Sequence, residues 1–125
     1  MAILPSRDRK YLEERAIAFE EFSGPPKVVI FRGYPIRGSR LNQTEADILV
    51  ELPGNYPDAR TDMFYVLPWL TLLAGGRYPA AADQPYDFGG QRWQRWSRHA
   101  EQWRPGIDGI WTTLRRIDAA LEVAA

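Results

Sequence analysis

The stretch "GGQRWQRWSRHAEQWRPG", residues 89–106, holds three of the chain's five tryptophans, four arginines and its only histidine. Arginines that neutralise phosphates, interleaved with aromatics that stack on bases, are the composition of a single-strand nucleic-acid surface. Against that reading, sixteen basic residues balance sixteen acidic ones over the whole chain, so no global field draws DNA, RNA or an anionic membrane. The favoured reading is an amphipathic helix or turn. Trp93 and Trp96 lie three residues apart, which places both on one helical face, and Trp103 returns to that face two turns later. Arg92, Arg95 and Arg98 then share another side of the segment and present their charge together. Trp93, Trp96, Trp103 and Pro105 are the expected structural residues, with Trp111 reaching the same core.

Ser97 and Glu101 flank His99 in sequence and invite a comparison with serine hydrolases. Such a set needs three groups converging from different elements, which neighbours on one short segment do not provide. No G-x-S-x-G elbow is present. Ser97, or an aspartate such as Asp87, acting with His99 is the rival catalytic reading; a hydrogen-bonded structural histidine is the simpler one. Asp58, Asp62, Asp83 and Asp87 sit in turn-rich segments and read as caps and turn formers. The chain contains no cysteine. Disulfides, thiolate metal sites and cysteine thioesters are therefore excluded. A single histidine offers no ordinary zinc site, and "GGRYPAAADQPYDFGG" has glycines but no G-K-[ST] for a phosphate loop. No metal and no cofactor are expected.

These residues need a scaffold, and 125 residues suit a single domain, 1–125, with one core. "MAILPSRDRKYLEERAIAFEEFSG" predicts a helix capped by Ser6 or Asp8, with Tyr11, Leu12, Ala16, Phe19 and Phe22 as its buried stripe. "SGPP" stops it. "KVVIFRGYPI" and "QTEADILVEL" predict strands, the second with Ala46, Ile48, Val50 and Leu52 on one face. "DMFYVLPWLTL" predicts a third strand that ends or reaches an edge at Pro68. "AGGRYPAAADQPYDFGG" predicts a long irregular connector. The closing segment predicts a helix with Ile107, Ile110, Trp111, Leu114, Ile117 and Leu121 on its buried face, Pro105 in its first turn and Asp108 at its positive end. Helix, strands, long loop and helix, with short turns between the strands, give an α+β class: an antiparallel sheet flanked by an N-terminal and a C-terminal helix. The longest apolar run, "YVLPWLTLLAG", is too short to span a bilayer, and no secretion signal opens the chain, so a cytoplasmic location is expected.

The order of motifs resembles the ubiquitin-conjugating enzymes. "VELPGNYPDARTDMFYV" is similar to their strand, turn and strand, with Tyr56-Pro57 and Met63-Phe64 in the family's order. Trp103-Arg104-Pro105 stands where their Trp-x-Pro leads into a helix, and "GIDGIWTTLRRIDAAL" resembles that helix. "LPSRDRKYLEER", "LPGNYPDARTDMF" and "WQRWSRHAEQWRPGID" together resemble the prokaryotic ubiquitin-conjugating-like family designated E. The resemblance implies a ubiquitin-conjugating-like fold. It also implies a setting with a ubiquitin-like protein, possibly in tandem domains, an activating-enzyme-like protein and a JAB-type isopeptidase. The family's cysteine would fall between Gly89 and Trp103, where this chain has none, and "GGRYPAAAD" replaces the His-Pro-Asn segment. Thioester transfer is therefore impossible. The expectation is a pseudoenzyme that binds or adapts, with Arg92, Arg95, Arg98 and His99 as its partner-binding set.

Overall fold

The structure is a computed structural model and describes residues 3–99 and 102–125. Its elements run α1 (Ser6–Glu14), β1 (Phe19–Phe22), β2 (Lys27–Pro35), β3 (Glu45–Leu52), β4 (Phe64–Leu67), β5 (Gln84–Phe88), β6 (Gln91–Trp96) and α2 (Ile110–Glu122). The strands form one six-stranded sheet in the order β1-β2-β3-β4-β6-β5, and every neighbouring pair is antiparallel. The class is α+β, with helices at the two ends of the chain. No described helix is long and apolar enough to cross a membrane.

Strand alternation divides the apolar residues between two cores. Phe31, Ile48, Val50, Val66 and Trp96 face the helices, where Leu12 of α1 and Ile110, Leu114, Ile117 and Leu121 of α2 meet them. Val28, Ile30, Leu49, Tyr65 and Trp93 point to the other face, which carries no helix. That face is buried by coiling of the sheet. β1 and β5 are the outermost strands, and in a flat sheet five spacings would hold them about 24 Å apart. Yet Phe22 of β1 and Phe88 of β5 meet edge-to-face with ring centroids 5.4 Å apart. Tyr86 of β5 stacks on Tyr65 of β4 at 3.9 Å and donates its hydroxyl to the Glu51 carboxylate of β3. The β5–β6 hairpin thus closes over the second face.

The hairpin is the main departure from the expected irregular connector and amphipathic helix. Phe88 pairs with Gln91, leaving Gly89-Gly90 as a two-residue loop with φ of 60° and 76°. Positive φ at both central residues is what a type I′ hairpin turn demands and what glycine supplies without strain. In a strand, residues three apart face opposite ways. Trp93 therefore enters the second core and Trp96 the first, both with no exposed surface. Trp103 and Trp111 join neither core: Trp103 packs beside Tyr56 at 6.2 Å, and the Trp111 indole donates to the carbonyl of Ile107.

The N-terminal helix is also shorter than its expected stripe. It stops at Glu14, and Ala16 takes a positive φ of 54° as the chain reverses. Phe19 and Phe22 then lie on β1, facing opposite cores. Neither Ser6 nor Asp8 caps α1. Asp8 instead crosses the fold, accepting the Ile110 amide of α2 at 3.2 Å and the Tyr56 hydroxyl at 2.5 Å. A Cβ on Gly109 would sit 2.7 Å from that carboxylate, so glycine is required where the chain enters α2. The helix begins at Ile110, which leaves Pro105 and Asp108 before it and Ile107 52% exposed.

Pro68 ends β4 at Leu67, as its missing donor requires. Beyond it the chain is held by a side chain. Gln94 of β6 has no exposed surface. Its Oε1 accepts the Leu70 amide at 2.8 Å and the Trp96 indole at 3.0 Å; its Nε2 donates to the carbonyls of Leu70 at 2.9 Å and Ala82 at 2.8 Å. A primary amide has two donors and two acceptor positions, and all four are used. Gln94→Leu keeps the volume but takes this partner from two buried donors and two carbonyl acceptors; the two donors alone cost about 1–3 kcal/mol each. Denaturant titration should show a loss of about 2–6 kcal/mol, comparable with the roughly 3–5 kcal/mol expected for Trp96→Ala.

Candidate functional site

The histidine of the stretch lies just beyond the exit of β6, against the segment that leads into β4. His99 Nδ1 lies 2.8 Å from Asp62 Oδ1, with both side chains about half exposed. A carboxylate only accepts, so Nδ1 carries the hydrogen of this bond and Nε2 is left available. Asp62 is positioned by α2. Thr61 and Thr113 share a 2.7 Å hydroxyl hydrogen bond in the interior. One turn further along α2, Arg116 donates to Thr61 Oγ1 at 3.0 Å and to the Asp62 carbonyl at 3.4 Å. Burial lowers the Arg116 pKa, and Asp62 opposes that shift.

Asp62 also borders an open cleft of about 290 Å³ with Glu51, Pro53, Arg60, Met63 and Tyr65. Tyr65 lines it, and burial first and Glu51 second push its hydroxyl up. Burial and the bond to Glu51 likewise raise the Tyr86 hydroxyl, so both phenols are neutral donors at physiological pH. Arg95 stands opposite Tyr65 in the β4–β6 register, on the same face of the sheet. Its Nε is buried without a hydrogen-bond partner among the described residues.

The other expected partner-binding residues diverge from this place, because the segment is a strand rather than a helix. Arg92 points to the opposite face from Arg95 and pairs with Asp87 at 3.2 Å, with both side chains largely exposed. Arg98 lies over the Trp96 ring at 5.1 Å and donates to the carbonyls of Ala80 and Ser97; burial lowers its pKa. Arg95, through its register partner Tyr65, and His99, through Asp62, each adjoin a residue that lines the cleft, while Arg92 and Arg98 do not join them. The catalytic alternative is not assembled either. The Ser97 hydroxyl points to Met63 Sδ at 3.9 Å, and no hydrogen bond links Ser97 to His99 among the described residues. Asp87 is engaged on the hairpin, and Glu101 lies outside the described residues.

Asp62 is the residue that sequence spacing missed, since thirty-seven positions separate it from His99. The only sequence signal for it was its place beside the Tyr-Pro turn.

The segment after His99 is anchored at two points. The Trp103 indole donates to the Pro57 carbonyl at 2.8 Å. Asp108 accepts the backbone amide of Arg104 at 2.7 Å, its guanidinium at 2.9 Å and the Thr112 hydroxyl at 3.0 Å.

The six-stranded antiparallel sheet with terminal helices is an α+β domain, and with no cysteine in the chain it cannot carry a cysteine thioester. The chain belongs to prokaryotic E2 family E, whose family model matches residues 4–124. Neither the curated proteins nor the solved structures contain a match to it.

The Arg104 guanidinium, helped by the Arg104 amide and Thr112, holds the Asp108 carboxyl down at about 2, against an ordinary value of 3.8. Folding therefore favours the ionised form. That contribution is complete above the ordinary value and is lost as pH falls through about 2. The stability difference between the native chain and Asp108→Asn, measured by denaturant titration, should be greatest above pH 3.8 and shrink towards pH 2.

Proposed function

We propose that this protein is a non-covalent component of a bacterial ubiquitin-like modification system, an adaptor that holds a ubiquitin-like protein or its activating enzyme. The observation that carries this reading is the complete absence of cysteine from a member of an E2 family. A carboxyl terminus cannot be passed through a thioester without a thiol, which leaves binding as the role the scaffold can keep. The setting is cytoplasmic, with a ubiquitin-like protein, possibly of tandem domains, an activating-enzyme-like protein and a JAB-type isopeptidase as the partners.

The extended tail of the ubiquitin-like protein lies along the Glu51–Pro53 and Arg60–Tyr65 walls of the cleft. Its peptide groups meet the Tyr65 hydroxyl and His99 Nε2, and its carboxylate meets Arg95. A guanidinium is suited to that end because it stays charged and offers a planar fork of donors. Arg92 and Arg98 contribute to the surrounding field rather than to a common clamp.

Calorimetric titration with the ubiquitin-like partner, with its tail intact or deleted, tests this model. Deleting the tail should weaken binding by about tenfold or more, equivalent to about 1.4 kcal/mol. Arg95→Ala should do the same without unfolding the domain, and His99→Ala should have a smaller effect. Equal affinity for the two tail forms would reject the cleft as the tail site.

A further inference from the structure

A second surface lies on the helical side of the sheet, where the end of α1, the end of β2 and the middle of α2 enclose a groove of about 370 Å³. Ile17 and Leu114 form its apolar floor, and Arg15, Arg37 and Arg115 stand on its rim with Asp118. Three arginines face a single carboxylate in a chain whose total charge is zero. That carboxylate is already engaged: it accepts the Tyr34 hydroxyl at 2.8 Å and lies 3.7 Å from the Arg37 guanidinium. Arg15 and Arg115 have no ion-pair partner among the described residues. Each lies near an aromatic ring one turn before it, Arg15, just past α1, at 3.8 Å from the Tyr11 centroid and Arg115 of α2 at 5.8 Å from that of Trp111.

We infer that this groove is a docking site for an acidic peptide segment of a partner protein, one that seats an aliphatic side chain on Ile17 and Leu114 between carboxylates paired with Arg15 and Arg115. Charge complementarity sets the sign of the ligand. The floor sets its class. A single strand held by base stacking would need an open aromatic face, but Arg15 covers Tyr11, and Tyr34 is 6% exposed with its hydroxyl committed to Asp118. An aliphatic side chain needs only the apolar floor that is present.

The probe is a fluorescein-labelled peptide, Asp-Glu-Leu-Asp-Glu, blocked at its carboxyl terminus and followed by anisotropy at low salt. It should bind, and the neutral analogue Asn-Gln-Leu-Asn-Gln should bind at least about tenfold more weakly. Replacing the central leucine with serine should also weaken it. Arg15→Glu combined with Arg115→Glu should abolish binding, whereas Arg77→Glu, on an exposed loop outside the groove, should leave it unchanged. Methyl chemical-shift mapping on the unmodified chain should place the largest changes at Ile17 and Leu114, which locates the site without relying on any variant. Absence of binding, shifts confined to other residues, or an affinity unchanged by the double charge reversal would overturn the proposal. So would displacement of the peptide by oligothymidylate at a lower concentration than by unlabelled peptide.

Discussion

One buried primary amide reconciles the two conflicting demands of this fold. The chain must leave the sheet after β4, because Pro68 cannot donate to the ladder, yet the segment beyond it must stay against β6 to cover the first core. Gln94 satisfies both by acting as a displaced peptide group. It offers Leu70 the donor and acceptor that a neighbouring strand would, then uses its remaining positions on Ala82 and the Trp96 indole. The strand, the connector and the largest side chain of the helix-facing core are therefore fixed together. A half-satisfied amide in this place would cost more than an apolar residue.

The ends of the chain are joined by a similar device. Asp8 sits in the first turn of α1 but caps α2, over one hundred positions away, and it also holds Tyr56. Burial and this bond raise the Tyr56 pKa, keeping the phenol a donor. The Tyr-Pro turn, the start of α2 and the N-terminal helix are thereby locked together. Thr61 and Arg116 extend the arrangement to Asp62, so the orientation of the Asp62–His99 pair depends on α2 rather than on its own loop. A site supported by a packed helix is held more precisely than one supported by loop residues alone.

These features were unequally legible in the sequence. The alternation in "EADILVEL" placed Ala46, Ile48, Val50 and Leu52 correctly on one face, because period two is visible without any partner. The stop at Pro68 was visible for the same local reason. The glycines of "DFGGQRW" form a two-residue hairpin loop, whereas in the sequence they belong to a segment that reads as an irregular connector, followed by the helical spacing of Trp93 and Trp96. Residues three apart share a face only if the backbone is helical, so one error of period moved both tryptophans and all three arginines. The cap from Asp8 and the approach of Asp62 to His99 left no local trace. Both are long-range contacts between short polar side chains that, within their own segments, look like ordinary helix-start and turn residues.

The hairpin also bears on why chemistry is confined to the end of the stretch. From Gln91 to Arg95 the segment is paired with β5 on one side, and Gln94, Arg95 and Trp96 pair with β4 on the other. Its three largest inward side chains, Trp93, Gln94 and Trp96, have no exposed surface. A residue held in this way is a poor candidate to meet a partner, since exposing it would break a core of about the size a 125-residue domain can sustain. Only after Trp96 does the backbone leave the ladder, and there Ser97, Arg98 and His99 reach the surface. Ser97 turns to Met63 and Arg98 folds back on Trp96, which leaves His99 to face Asp62 at the cleft. The arginine-rich stretch is therefore mostly a structural strand. The two polar residues it leaves beside the cleft are Arg95, opposite Tyr65 in the sheet, and the histidine that follows the strand's end.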